Sequence, residues 1–290
     1  METTTHGQRR GSWIKIFLAE GSPSGLKTVE RSNWTGLGIV CPRPRFAAVK
    51  DREEFKRAGV YVLVGPSDSP EVPIAYIGEA DPLRARLEQQ HAQRDFWTIL
   101  YFFTSKDANL NKAHIEYLEY RLITLAREVK RSKLENANVP GKPSLSAPDQ
   151  AEIETFLDEM LLCFPTLGVS IFERPEQKPP GKKLLTFTRR GLTAKGYESE
   201  SGFVVIKGSQ ASSLVVDSMQ PFALSLRANL LVSGILIEAK PHLAFAEDYE
   251  FSSPSTAAYI VAGASVNGRD YWRADDGRSL KELQEEESKE

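Results

Sequence analysis

Cysteine is scarce in this 290-residue chain. Cys41 and Cys163 are the only two, too few for a disulfide framework or a cysteine-based zinc site. There are four histidines. His6 and His242 have no metal-binding company in the sequence, and His114 reads as a helix-surface residue. No run approaches the ~18 apolar residues needed to cross a bilayer, so no membrane association is expected. The opening METTTHGQRRGSW is charged and lacks an apolar stretch ending in small residues. No secretory signal is visible, and a reduced cytoplasmic setting is expected. Net charge is also small, with 37 basic against 39 acidic residues and a balance of −2. Whole-chain charge therefore neither supports nor excludes a nucleic-acid partner, whose binding rests on neutralised phosphates. Locally, RPEQKPPGKKLLTFTRR (174–190) and REVKRSK (127–133) are basic, and the second places Lys130 and Arg131 among candidate contacts. The end, KELQEEESKE, reads as an acidic, solvated tail.

What is present is globular: 41% hydrophobic and 26% charged residues exclude a disordered chain. Residues 1–50 form a strand-rich extension, with alternation at Ile14, Ile16 and Leu18 suiting a half-buried strand. From 51 to 172 the punctuation is clear. GVYVLVG (59–65) and IAYIGEA (74–80) are strands able to pair antiparallel. Asp81-Pro82 supplies a helix cap and a first-turn proline. FWTILYFFTS (96–105) is the central strand, and the helix in AHIEYLEYRLITLAREV follows Asn109 and Asn111. SAPDQAEIETFLDEMLLCF (146–164) is a further helix, capped near Ser146 or Asp149.

Residues 173–184 read as a Pro/Lys-rich linker. A second compact module, 185–285, has strands in LLTFTRR and FVVIKGS and a helix from Pro221. It also has a short helix framed by Ser253, Pro254 and Gly263, and a tight turn at Asn267-Gly268. Residues 286–290 end the acidic tail. The fold class expected is α+β, with two modules.

GVYVLVG, AYIG, Arg86 eight residues after Gly78, and LEYRLI on the next long helix stand in the order of the GIY-YIG nuclease family. About 75 residues resemble that family (roughly half an ordinary domain). Alternation puts Tyr61 opposite Val60, Val62 and Val64, so both phenols can share one sheet surface. Arg86 lies one turn into the following helix, and Glu119 interrupts the apolar stripe of Ile115, Leu122 and Ala126, an expensive place for an unpartnered charge.

The resemblance implies a small three-stranded antiparallel sheet flanked by helices, and a metal-dependent endonuclease acting on DNA in restriction, defence or repair. It implies that Glu119 binds one Mg²⁺ or Mn²⁺, that Arg86 holds the scissile phosphate, and that Tyr61 and Tyr76 orient or deprotonate the attacking water. His91 is the candidate proton acceptor, and Gly78 and Asn136 or Asn138 are candidate substrate-side residues. Two departures motivate the alternative of a catalytically inactive GIY-YIG DNA-binding protein: Glu79 stands where many members carry lysine, and His91 falls five residues after Arg86 instead of four. RNA is a third substrate class.

The C-terminal segments GFVVIKGSQASS, FAEDYEFSSPSTAAYIVAGASVNGRDYW and DDGRSL resemble a domain of unknown function that accompanies some bacterial GIY-YIG proteins. Nucleic-acid recognition is the role expected of it, with Lys207, Arg227 and Arg269 as candidate contacts.

Overall fold

The computed structural model describes residues 11–288 apart from Ala108, Glu176, Gln177, Pro179, Pro180 and Ser218. His6 and the expected linker's centre thus lie outside the described residues. The chain divides into two units, the first made of Met1–Pro66 and Pro73–Glu173, the second of Ser67–Val72 and Arg174–Glu290. Both mix helices and sheets, giving the expected α+β class.

In the first unit the strands are β1 (Ile14–Leu18), β2 (Lys27–Arg31), β3 (Gly36–Pro42), β4 (Gly59–Gly65), β5 (Ile74–Ala80), β6 (Ile99–Ser105) and β7 (Lys133–Leu134). The helices are α1 (Phe46–Val49), α2 (Leu83–Gln93), α3 (Lys112–Val129) and α4 (Ala147–Thr166). One sheet runs β1-β2-β3-β6-β4-β5-β7. The expected antiparallel trio is present as β5-β4-β6, but β3 pairs with β6 along its whole length. The N-terminal strands therefore continue the sheet, and β6 lies at its middle, where its ILYFFTS run is buried on both faces.

Alternation along β4 sorts two cores. Val60 and Val62 join Ile115, Leu118 and Leu122 of α3 and Phe156, Met160 and Phe164 of α4. Tyr61 and Leu63 face the other way, onto Phe46, Phe55, Leu83, Leu87 and Trp97.

The helix ends show where local chemistry acts. Asn111 accepts the His114 N–H at 3.0 Å to start α3, and Ser146 accepts the Asp149 N–H to start α4. Asp81 does not cap α2. That helix begins at Leu83 after Pro82, and the Leu83 N–H donates to the Arg57 carbonyl at 3.0 Å, so a tertiary acceptor replaces the side-chain cap. Strand β1 is an edge strand more exposed than its alternation suggests, with Ile16 and Phe17 largely in solvent. Strand β2 gave no sequence signal, because Val29 is its sole fully buried residue.

The second unit holds β8 (Leu185–Arg189), β9 (Leu192–Glu198), β10 (Phe203–Val205), β11 (Gln210–Ala211), β12 (Leu236–Ala239), β13 (His242–Phe245), β14 (Tyr249–Phe251) and β15 (Trp272–Arg273). Its helices are α5 (Pro221–Val232), α6 (Pro254–Ala262), α7 (Gly268–Tyr271) and α8 (Leu280–Glu287). The sheets run β14-β10-β9-β8-β15 and β11-β13-β12. Helix α6 is framed as expected: Ser253 accepts the Thr256 N–H at 3.1 Å, and Gly263 closes it at φ 63°, where a Cβ would strike the Leu214 carbonyl.

Two expectations change here. Asn267 caps the short helix α7 where a tight turn was expected. The acidic C-terminal stretch is not simply solvated: Ser279 and Glu282 form a capping box on α8, and Leu280 and Leu283 are buried. Among the described residues no helix is long and apolar enough to cross a membrane.

Leu122→Ala, in the fully buried stripe of α3, is expected to cost about 2–5 kcal/mol in a urea titration. Val232→Ala, at a position 90% exposed, is expected to change stability by less than about 0.5 kcal/mol. Equal effects would contradict the core as described.

Candidate functional site

Tyr61 stands opposite Gly78 in the β4–β5 register. A Cβ built on Gly78 would fall inside 3.0 Å of the Tyr61 Cζ and Oη, so the missing side chain is what lets the phenol lie across β5. Tyr76 is two residues back on the same face, and the two rings are 6.2 Å apart and tilted by 39°. The guanidinium of Arg86, from the first turn of α2, acts on both phenols, while its Nη1 donates to Gln89 at 2.7 Å. No hydrogen bond of ordinary geometry reaches the buried Tyr61 Oη.

Glu119 approaches from α3. It is half-buried, and its carboxylate makes no hydrogen bond or ion pair with any described residue. Its electrostatic neighbours are Glu79, Lys112, Arg86 and Glu116, and its charge in turn acts on Tyr61. Tyr61, Tyr76, Arg86 and Glu119 thus form one electrostatic cluster.

The backbone beneath the cluster is fixed by Asn136. Its Oδ1 accepts the Ile77 N–H at 2.9 Å and its Nδ2 donates to the Ile77 carbonyl at 2.8 Å. Strand β7 pairs only with Ile74 and Ala75, so this side chain completes the edge where the ladder stops. Of the two asparagines considered, Asn136 does this and Asn138 stays exposed.

Other candidates lie elsewhere. His91 stacks on Phe46 at 5.0 Å and meets Trp97 edge-on at 5.7 Å. Burial, then Arg43 and Lys50, lowers its pKa, and no residue of the tyrosine cluster contributes. Lys130 is the left-handed C-cap of α3, with Arg131 next. Eleven residues separate Lys130 from Glu119, about 16 Å along a helix. In the second unit Lys207 and Arg269 are exposed, but Arg227 is only 4% exposed and donates to the carbonyls of Ile260 (2.8 Å) and Ser212. Burial removes Arg227 from the surface contacts expected of it.

Glu79 does point away from the Tyr76 face, as alternation requires, but α3 crosses that other face. Lys112 Nζ donates to Glu79 Oε1 at 2.5 Å, and Glu79 Oε2 is buried without a partner. Sequence reading missed Arg94. Its guanidinium lies 3.8 Å from the Tyr76 ring centroid while Nε donates to Gln90 at 2.7 Å. An arginine just past a helix end carries no periodic signal that would single it out.

Among the described residues no three His, Cys, Asp or Glu side chains gather as a metal cage. Burial, and then Glu79, pushes the Glu119 carboxyl up to about 7, with Lys112 and Arg86 pulling the other way. Burial, and then Tyr76, raises the Tyr61 phenol well above its ordinary range, so it stays protonated at neutral pH. Burial works against the Arg86 charge, but the adjacent phenols outweigh it and raise its pKa.

A carboxyl raised from 4.5 to about 7 favours the folded state while protonated. That contribution is complete below about 4.5 and disappears as pH rises through 7. Glu119→Gln is therefore expected to match the parent at pH 4.5 and exceed it at pH 8, by about 1–2 kcal/mol after solvent screening. Chemical denaturation at the two pH values measures this, and an equal difference at both would refute it. Gly78→Ala is expected to force Tyr61 aside and cost about 1–3 kcal/mol, read by the same denaturation and by tyrosine absorbance.

Residues 185–284, about a third of the chain, match the family model described as Domain of unknown function (DUF4357). The search of curated proteins returned no match for this chain. The search of solved structures returned none either.

Proposed function

We propose that the first unit is a metal-dependent phosphodiester hydrolase of the GIY-YIG type, acting as an endonuclease on DNA. The observation that carries this reading is the gathering of two phenols, one guanidinium and one unpartnered carboxylate from four separate elements. Packing alone does not require such a combination, whereas phosphoryl chemistry uses each part.

A divalent cation fits the donors present. Glu119 has free carboxylate oxygens, and the nearby Glu79 Oε2 is buried without a partner. Mg²⁺ or Mn²⁺ needs one or two carboxylates and keeps several waters, so a three-ligand cage is not required. Glu119 would hold the ion with Glu79 beside it, and the bound ion supplies Lewis-acid polarisation and lowers the pKa of water.

The chain's own groups do the positioning. Arg86 offers a planar fork to the scissile phosphate and compensates charge building on its oxygens. Tyr61, protonated at neutral pH and with the Arg86 guanidinium acting on it, donates a hydrogen bond to a phosphate oxygen or aligns the attacking water through its Oη. Tyr76 approaches the same group, its ring held against the Arg94 guanidinium. His91 supports α2 through its stacking on Phe46 and takes no proton in this scheme.

Conversion of supercoiled plasmid to nicked or linear DNA with Mg²⁺ or Mn²⁺ tests the reading. Arg86→Ala and Glu119→Gln are each expected to reduce the rate by at least about 10²-fold, and Tyr61→Phe by about 10-fold or more. His91→Ala is expected to stay within a few-fold. Cutting that survives both the Arg86 and Glu119 substitutions would overturn the site. DNA binding without cleavage on plasmid, branched, damaged and single-stranded substrates, and on RNA, would favour a binding protein instead.

A further inference from the structure

Helix α5 is apolar on two sides. Ala223, Leu226 and Leu230 enter the core of the second unit. Leu224, Ala228 and Leu231, spaced i, i+4 and i+7, line a cavity of about 630 Å³. Leu224 and Leu231 remain roughly two-fifths exposed. The volume is that of a small-molecule site.

Arg227 also lines this cavity, from the same helical face. It is the most buried cation there, at 4% exposed, and among the described residues it donates to two backbone carbonyls and to no carboxylate. A buried guanidinium held only by carbonyl dipoles is a charge without a counter-ion, and an entering anion would be favoured by it. Burial lowers its pKa, in keeping with that lack of an acidic partner. Lys240 and His242 stand on the cavity wall, against Glu238 as the acidic wall residue. The lining therefore combines an apolar stripe with two cations, Arg227 and Lys240, against one carboxylate.

We infer that this cavity binds a small amphiphilic monocarboxylate, its hydrocarbon body along Leu224, Ala228 and Leu231 and its head group toward Arg227. Charge complementarity selects the head group, since a neutral or cationic one would leave Arg227 uncompensated. The apolar stripe selects the body, because a purely polar anion would leave it wet. Neither feature depends on the chemistry proposed for the first unit.

Titration of the full chain with octanoate, 1-octanol and octylammonium, followed calorimetrically below their micellar concentrations, tests the inference. Octanoate is expected to bind one-to-one with a dissociation constant on the order of 100 μM. Octanol is expected to bind at least about tenfold more weakly, a factor equal to about 1.4 kcal/mol, and octylammonium not at all. Arg227→Met is expected to remove the preference for octanoate over octanol. Because that buried position bears on folding, Leu231→Glu and Leu231→Lys give a second readout at an exposed wall. The glutamate is expected to abolish octanoate binding while the lysine retains it. Equal binding of octanoate and octanol, binding at millimolar concentration only, or insensitivity to Leu231→Glu would overturn the site.

Discussion

Strand β4 is buried on both faces, and that constraint organises the first unit. A strand covered on one side can place polar groups on the other at no cost. Here Val60 and Val62 must fill the core beneath α3 and α4 while Tyr61 and Leu63 fill the core around Trp97 and Phe55. A phenol on such a strand has no direct route to water. It gains two polar neighbours because its partner across the ladder is glycine, which lets the ring cross β5 toward Tyr76 and Arg86. The cluster therefore begins as a packing solution. Its electrostatics follow from how little water remains: burial is the largest influence on both Tyr61 and Glu119.

Much of this was legible in the sequence, for a physical reason. Period-two alternation in GVYVLVG states which face each side chain takes, and β-branched and aromatic density in ILYFFTS identifies a doubly buried strand. The cap at Ser253 was readable outright, and the starts of α3 and α4 were narrowed to Asn109 or Asn111 and to Ser146 or Asp149, because a side-chain oxygen three residues ahead of an orphan N–H is a local matter. What failed was non-local. The Leu83 N–H found its acceptor at Arg57, so Asp81 was not needed as a cap. Strand β2 exists because β1 and β3 flank it, and its own sequence contributes a single buried valine. The N-terminal strands joined the main sheet through the β3–β6 pairing, which no local pattern announces.

The site was legible to a similar depth. Tyr61, Tyr76, Arg86 and Glu119 were singled out as candidates by the family resemblance, and one electrostatic neighbourhood contains them all. Glu79 shows the limit of a one-strand argument. Alternation correctly turned it from the phenols, yet the face it turned to carries α3, and α3 carries Glu119. His91 meets the same limit, since helical phase gives a direction and not the identity of what waits there. Phe46 and Trp97 waited there, and an imidazole between two aromatic rings is occupied by packing. Arg94 reached Tyr76 from beyond the end of α2, where periodicity has nothing to say.

Both units keep a buried or half-buried charge without an opposite side-chain partner, Glu119 in the first and Arg227 in the second. The two are handled differently. Glu119 is relieved by a proton, because its carboxyl titrates near neutral pH with Glu79 beside it, so the charge can be switched off when nothing arrives to balance it. Arg227 has no such escape. Burial pulls its pKa down, but an arginine side chain does not give up its proton in a protein, so carbonyl dipoles from Ile260 and Ser212 must carry the compensation. A titratable charge suits a group that meets its partner only during a reaction, since the resting cost is small. A permanent charge suits one that meets a counter-ion at equilibrium, since the residual cost of burial becomes affinity when the anion enters. In the two proposed readings, glutamate in one place and arginine in the other fit a transient chemical task and a standing recognition task respectively.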